Sequence, residues 1–165
     1  MSLPKFIRNF NLFVDGRSYM GRAMLMKLPQ PKIMTEAHRG AGMDAPVGID
    51  MGMEAMTAEF TIADWPPELM AMLGTVQRFV CRPAALPEGG GEAVTNIFSM
   101  GGLITAPEVD DIKPGGNSQL KMVMDVRTLK FEQDGRGLYD IDIPNGKRVI
   151  DGVDQLRGIR RAMGL

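Results

Sequence analysis

Between Leu120 and Val126 the chain places an apolar side chain at every second position, with Leu120, Met122, Met124 and Val126 interleaved with Lys121, Val123, Asp125 and Arg127. A period of two commits a segment to extended backbone, because a helix would scatter the same side chains around its axis. Met56, Ala58, Phe60 and Ile62 repeat the pattern against Thr57, Glu59 and Thr61, predicting a second strand with one buried face. At Thr128 the apolar phase moves to Leu129 and Phe131. Such a step predicts a bulge, since one extra residue turns every later side chain to the other face.

The turn residues order further strands around these two. Asp15-Gly16 and Asp134-Gly135 supply the positive φ angles of tight hairpin turns. The first joins Asn11–Val14 to a second arm, expected to run from Arg17 through Ala23–Leu28 until Pro29 and Pro31 remove ladder donors. The second leads into Leu138–Ile143, where Tyr139, Ile141 and Ile143 alternate with Asp140 and Asp142. Val76–Arg82 and Glu92–Met100 read as strands joined across Pro87–Gly91. That glycine run is a turn and not a phosphate loop, because neither a Lys-Ser or Lys-Thr pair nor a helix pattern follows it. Lys113–Asn117 forms another turn.

Two helices are expected among the strands. Asp64 is placed to cap a short one that tolerates Pro66 and Pro67 in its first turn, carries Leu69, Met72 and Leu73 on one face and stops at Gly74. Asp151 is placed to cap a C-terminal one of about three turns. It carries Val153, Leu156, Ile159 and Met163 on one face, with Arg157, Arg160 and Arg161 near its negative end. Too short to stand alone, this helix is expected to dock through Val153, Leu156 and Ile159. The fold class is mainly β, a small sandwich or barrel, and 165 residues suit a single domain, 1–165.

Arg39 to Gly52 departs from this regularity. It holds four glycines and Pro46 together with Met43, Val47, Ile49 and Met51, more apolar side chains than a solvated loop requires. An extended loop at about 40–52 is therefore expected either to fold back on its own subunit as an Ω-type loop or to lie against a neighbouring subunit, with Gly40, Met43, Asp44, Pro46, Val47, Ile49 and Met51 as the contact residues.

Few of the remaining residues suggest chemistry. A formal charge of −1 is unsuited to gripping phosphates. Cys81 is the only cysteine, so the fold stands on its core in a reducing compartment. Met1–Lys5 lacks the apolar run of a leader, and no stretch of 18 apolar residues occurs, so synthesis and folding in the cytoplasm, without membrane insertion by the monomer, are expected. His38 is the single histidine and zinc sites want several ligands. Asp140 and Asp142 fall on the polar face of one strand, which solvation alone explains, and Asp110-Asp111 has no acid–base partner pattern. Fifteen methionines read as core filling at strand spacing. No catalytic residue, metal or cofactor is expected.

The residues also resemble a known family. Asn11-Leu12-Phe13-Val14-Asp15-Gly16 with Tyr19, then Arg39 to Val47 followed by Asp50 to Met56, and an ending from Asp142-Ile143-Pro144-Asn145-Gly146 through Val153 to Leu165 are similar to the major tail tube protein of contractile-tailed bacteriophages and of R-type pyocins or tailocins. The resemblance runs end to end. It implies a β sandwich whose hairpins complete an inner barrel in a hexameric ring, with rings stacked as the tube of a contractile tail, a conduit for DNA ejection or membrane puncture. The partners it implies are copies of the chain itself, the tail sheath, baseplate, tail terminator and, in the lumen, tape measure proteins, with DNA passing through without specific binding. The competing reading is a monomeric β-barrel that binds a small ligand among its own strands.

Overall fold

A computed structural model describes residues 3–165; Met1 and Ser2, which begin the stretch inspected for a leader, lie outside them. The strands are β1 (Lys5–Val14), β2 (Arg17–Ser18), β3 (Ala23–Lys27), β4 (Ile33–His38), β5 (Val47–Met53), β6 (Met56–Ile62), β7 (Val76–Pro87), β8 (Val94–Val109), β9 (Leu120–Gln133), β10 (Arg136–Asp142), β11 (Lys147–Ile150) and β12 (Val153–Asp154). Two short helices, α1 (Pro67–Met70) and α2 (Arg157–Ala162), complete the elements. All strand pairs are antiparallel. The main sheet runs β12-β11-β10-β9-β8-β7-β1-β2, with β6 on β9 and β3 on β6, while β4 and β5 form a separate two-stranded sheet.

Strand β9 organises this arrangement. Its first half, Leu120–Val126, pairs with β6, and its second half, Thr128–Gln133, pairs with β10 on the same side, while β8 follows its other edge throughout. The exchange of neighbours happens at the predicted phase step. Gly101 of β8 faces Thr128 and Gly102 faces Val126, which leaves Arg127 unopposed as the extra residue of a bulge. Val126 and Leu129 are consequently both buried, with two exposed residues between them.

The core lies on the face of this sheet formed by Leu12 and Val14, Ala58, Phe60 and Ile62, Phe79 and Cys81, Met100 and Ile104, and Met122, Met124 and Val126. Every second residue of β6 and β9 enters it, as the alternation requires. Phe60 and Phe79 meet at its centre, ring centroids 5.1 Å apart. Tyr19 and Leu69 close one end, where the buried Tyr19 hydroxyl donates to Glu68 at 3.1 Å.

Four expectations need correction. The second arm of the first hairpin is not continuous, because Tyr19 turns into the core, its carbonyl accepting from Arg22 and Ala23 N–H, and β3 leaves β1 to pair with β6. Asp64 does not cap α1; it forms an ion pair with Arg22 at 2.7 Å. Pro66 is the N-cap, and only Leu69 of the three proposed apolar residues is fully buried, Leu73 being exposed.

Asp151 does not cap the C-terminal helix. It is the first residue of a third Asp-Gly turn, with φ of 48° and 80° for Asp151 and Gly152, the conformation that joins β11 to β12. Val153 is thus in a strand, α2 is only Arg157–Ala162, and Asp151 pairs instead with Arg136 at 2.6 Å. Finally, the expected loop at 40–52 is a loop only at its start, since Val47–Met53 is β5, hydrogen-bonded along β4.

Candidate assembly interface

Val47, Ile49 and Met51 project from one face of the β4–β5 hairpin, because residues two apart in a strand share a face. Cross-strand register adds His38 opposite Val47 and Glu36 opposite Ile49. This face carries the apolar stripe, and it is uncovered: Val47 is 54 %, Ile49 48 % and Met51 54 % exposed. The opposite face holds the small and polar Thr35, Ala37, Gly48 and Asp50, packed so closely that a Cβ on Gly48 would stand 3.3 Å from that of Thr35. A two-stranded ribbon gains little stability by itself. An apolar face on such a ribbon is a candidate surface for a partner.

The two arms of the hairpin are tied together at the root, and Met53 and Asp50 fasten it to the body. Glu54 N–H donates to the Lys32 carbonyl at 2.8 Å, Lys32 and Glu54 form an exposed ion pair at 3.0 Å, and Met53 packs against the main core. Asp50 reaches across to Arg148 of β11, Oδ2 to Nη2, at 2.6 Å, and also accepts from Gly52 N–H at 2.8 Å. The Arg148 hydrogen bond, with the Gly52 amide second, holds the Asp50 carboxyl below its ordinary range, as donors aimed at a carboxylate do. Arg148 is 5 % exposed, and its Nε and Nη1 are buried with no acceptor.

The other expected contact residues separate into two groups. Gly40, Met43, Asp44 and Pro46 lie in the turn at the hairpin tip, where Gly40 N–H is 3.1 Å from Met43 Sδ and Arg39 Nε donates to the Met43 carbonyl. They share the hairpin with Val47, Ile49 and Met51 but not its strands. At the C-terminus, Val153 and Ile159 are exposed and do not dock on their own subunit. Leu156 does dock, lining a cleft with Met53, Ile141 and Ile143, and Arg160 clips α2 down by donating to the Gly146 carbonyl at 2.9 Å and pairing with Asp154.

Sequence reasoning missed two further features. Strand β1 pairs with β7 along its length, but its other edge meets β2 only at Phe13 and Val14. The Leu12 carbonyl also accepts from Tyr19 N–H at 2.8 Å on that side, so Lys5–Asn11 has a free edge among the described residues, with Phe6 and Ile7 exposed beside it. Such an edge is a template for another strand. Arg148 was missed as well, although its two-residue spacing from Ile150 was a signal that it shares the inward side of its strand.

The residues considered for catalysis are dispersed. His38 is on the exposed hairpin face, Asp140 is paired with Lys147 at 2.6 Å, and Asp142 accepts from the side chain and backbone of Asn145. Among the described residues no group of three or more His, Cys, Asp or Glu could hold a metal ion. Among the described residues no helix is long and apolar enough to cross a membrane. The interior that a small-ligand barrel would keep open is filled by Phe60, Phe79, Met122 and Met124, all fully buried.

A filled core, a projecting apolar hairpin and a free strand edge define a structural β protein built to assemble. Comparison with known proteins gives the same class. The model of the phage tail tube protein FII family matches residues 4–164, and the chain belongs to that family of structural proteins of contractile tails. It is 27 % identical to the tail tube protein of Escherichia phage P2 over the full length of both chains. It is likewise 27 % identical to the major tail tube protein of Serratia phage KSP20, covering 88 % of this chain and 86 % of that one. Its fold is shared with a chain in the six-fold symmetrised cryo-EM structure of the anti-feeding prophage baseplate, at a TM-score of 0.52 and 14 % identity, over 82 % of this chain and 98 % of that one. The two phage relatives are structural tail tube proteins and not enzymes.

Proposed function

We propose that six copies of this chain, each a single tail tube domain, close into a ring, and that rings stack as the inner tube of a contractile tail. The apolar face of the β4–β5 hairpin carries this reading, because Val47, Ile49 and Met51 form one stripe that the subunit itself leaves about half exposed. The free edge of β1 supports it, since strand addition between neighbours would hide the edge inside a closed barrel. The six-fold symmetry of the assembly that contains a chain of the same fold supports the number. Sheath, baseplate, terminator and tape measure proteins are the partners such a tube meets. A polar wall of near-neutral charge would let DNA pass without holding it. The chain would be made in the cytoplasm and end in the virion or tailocin tail.

The contact residues proposed are Gly40, Met43, Asp44 and Pro46 at the tip and Val47, Ile49 and Met51 on the stripe. A fully buried side chain of this size contributes about 1.5–3 kcal/mol. The three stripe residues are already about half covered, so docking adds about 1 kcal/mol each and about 3 kcal/mol per copy.

Light scattering after size exclusion, followed by negative-stain microscopy, should find rings or tubes. Val47→Asp places a charge in that dry contact, which is costly without a partner. Rings and tubes should be lost while the dilute monomer keeps its melting temperature. Unfolding of the monomer would place Val47 in its own core, and unchanged tubes would show that the stripe is not an interface.

A further inference from the structure

The cleft at the hairpin root has a composition that the subunit itself leaves incomplete. Met53, Ile141, Ile143 and Leu156 give it apolar walls, and Arg148 belongs to its lining. That guanidinium spends Nη2 on Asp50 and keeps Nε and Nη1 buried without acceptors. Buried donors left unpaired are costly, those of a charged group most of all, so an acceptor entering the cleft gains more than one on an open surface would. Two cations beside it are unspent. Arg157 and Arg161 surround the adjoining concavity on α2 and have no ion-pair partner among the described residues. Lys147 is paired with Asp140, while Asp142, hydrogen-bonded only to the neutral Asn145, leaves one carboxylate in the lining against these two arginines.

The β8–β9 turn of the same chain has the complementary composition. Asp110 and Asp111 form no ion pair among the described residues, while the apolar Val109 is exposed beside them and Ile112 is 75 % exposed. This turn precedes Leu120, whereas the cleft adjoins Asp142, which is level with Thr128 on β9. Eight residues of strand, about 26 Å at ~3.3 Å each, separate the two levels. A turn and a cleft so far apart on one chain can meet only between two copies.

We infer that the β8–β9 turn of one copy docks in the Arg148 cleft of the next, Ile112 against the apolar walls and the Asp110 and Asp111 carboxylates on the arginines. This contact rests on the assembly reading above but uses different residues from the hairpin stripe. A contact between two different surfaces repeats without using itself up, which is what a ring or a stack needs.

Charge reversal tests it on the full chain. Asp110→Lys with Asp111→Lys, and separately Arg157→Glu with Arg161→Glu, should each lower assembled mass in light scattering at least tenfold while the monomer's melting temperature is kept, since all four side chains are at the surface. All four changes in one chain should restore assembly. If the wild type assembles and the reversed variants do too, or if the fourfold variant fails to recover, the dock is wrong while the assembly reading stands. A wild-type chain that stays monomeric at every concentration overturns both.

Discussion

Gly102 stands where β8 passes the bulge of β9, and a methyl group there has nowhere to go. A Cβ built on Gly102 would lie 2.0 Å from the Asp125 carbonyl oxygen and 2.8 Å from its carbon. Relief to an ordinary contact near 3.2 Å requires β8 and β9 to separate locally by about 1 Å, because the obstruction is backbone and no rotamer removes it. Two or three ladder hydrogen bonds at about 0.5–1.5 kcal/mol each would be lost, and displacement of a packed core adds about 1–3 kcal/mol. Gly102→Ala should therefore destabilise the subunit by about 3–5 kcal/mol, among the large single-residue effects.

Its neighbour is the internal control. A Cβ on Gly101 would come within 2.7 Å of Thr128 Oγ1, a side-chain atom, so Gly101→Ala should be relieved by Thr128→Ala while Gly102→Ala should not. Urea unfolding of dilute protein, followed by circular dichroism, measures both. A Gly102→Ala cost below about 1 kcal/mol would mean that the strands do not approach as described, and with that the account of the bulge would fail.

Cys81 is buried with its thiol pKa pushed up to about 11 by desolvation, so it should resist a thiol reagent in the native subunit and react fully in urea; fast native labelling would show that β7 opens. Asp50, Asp151 and Asp154 are each held below the ordinary aspartate value of 3.8 first by an arginine hydrogen bond. A depressed native pKa contributes stability that is present above the unfolded value and lost as pH falls through the native one. The melting temperature should accordingly drop on acidification below about pH 4, and less steeply when all three are changed to Asn. Tyr19→Phe removes only the hydroxyl that donates to Glu68 and should cost about 1 kcal/mol in the same urea assay. A much larger loss would show that the hydroxyl, and not the ring, fastens α1 to the core.

What the sequence disclosed and what it concealed divide along a physical line. Strands β6 and β9 were legible because burial on one face imposes period two, and the bulge at Arg127 was legible because it breaks that period. Asp15-Gly16 and Asp134-Gly135 were legible because few other pairs accept two positive φ angles. Asp151-Gly152 carried the identical signal but was read as a helix cap, since Asp serves both purposes and the spacing of Val153, Leu156 and Ile159 favours a helix. Burial resolved that ambiguity, and a sequence does not state burial.

The hairpin at 33–53 posed the converse difficulty. Its apolar content was visible, yet the strand pairing that gives Val47, Ile49 and Met51 one common face depends on β4, whose own alternation is weak. The residue that no pattern announced was Arg148, a charge on the inward side of a strand. It is stable there only because Asp50 arrives from a residue 98 positions away, and long-range pairs of that kind have no local signature. Both missed features, the free edge of β1 and the half-satisfied arginine, are places where one subunit leaves a physical requirement unmet. In the assembly proposed above such requirements would be met by the next copy, which is why a single chain's sequence shows its core more plainly than its contacts.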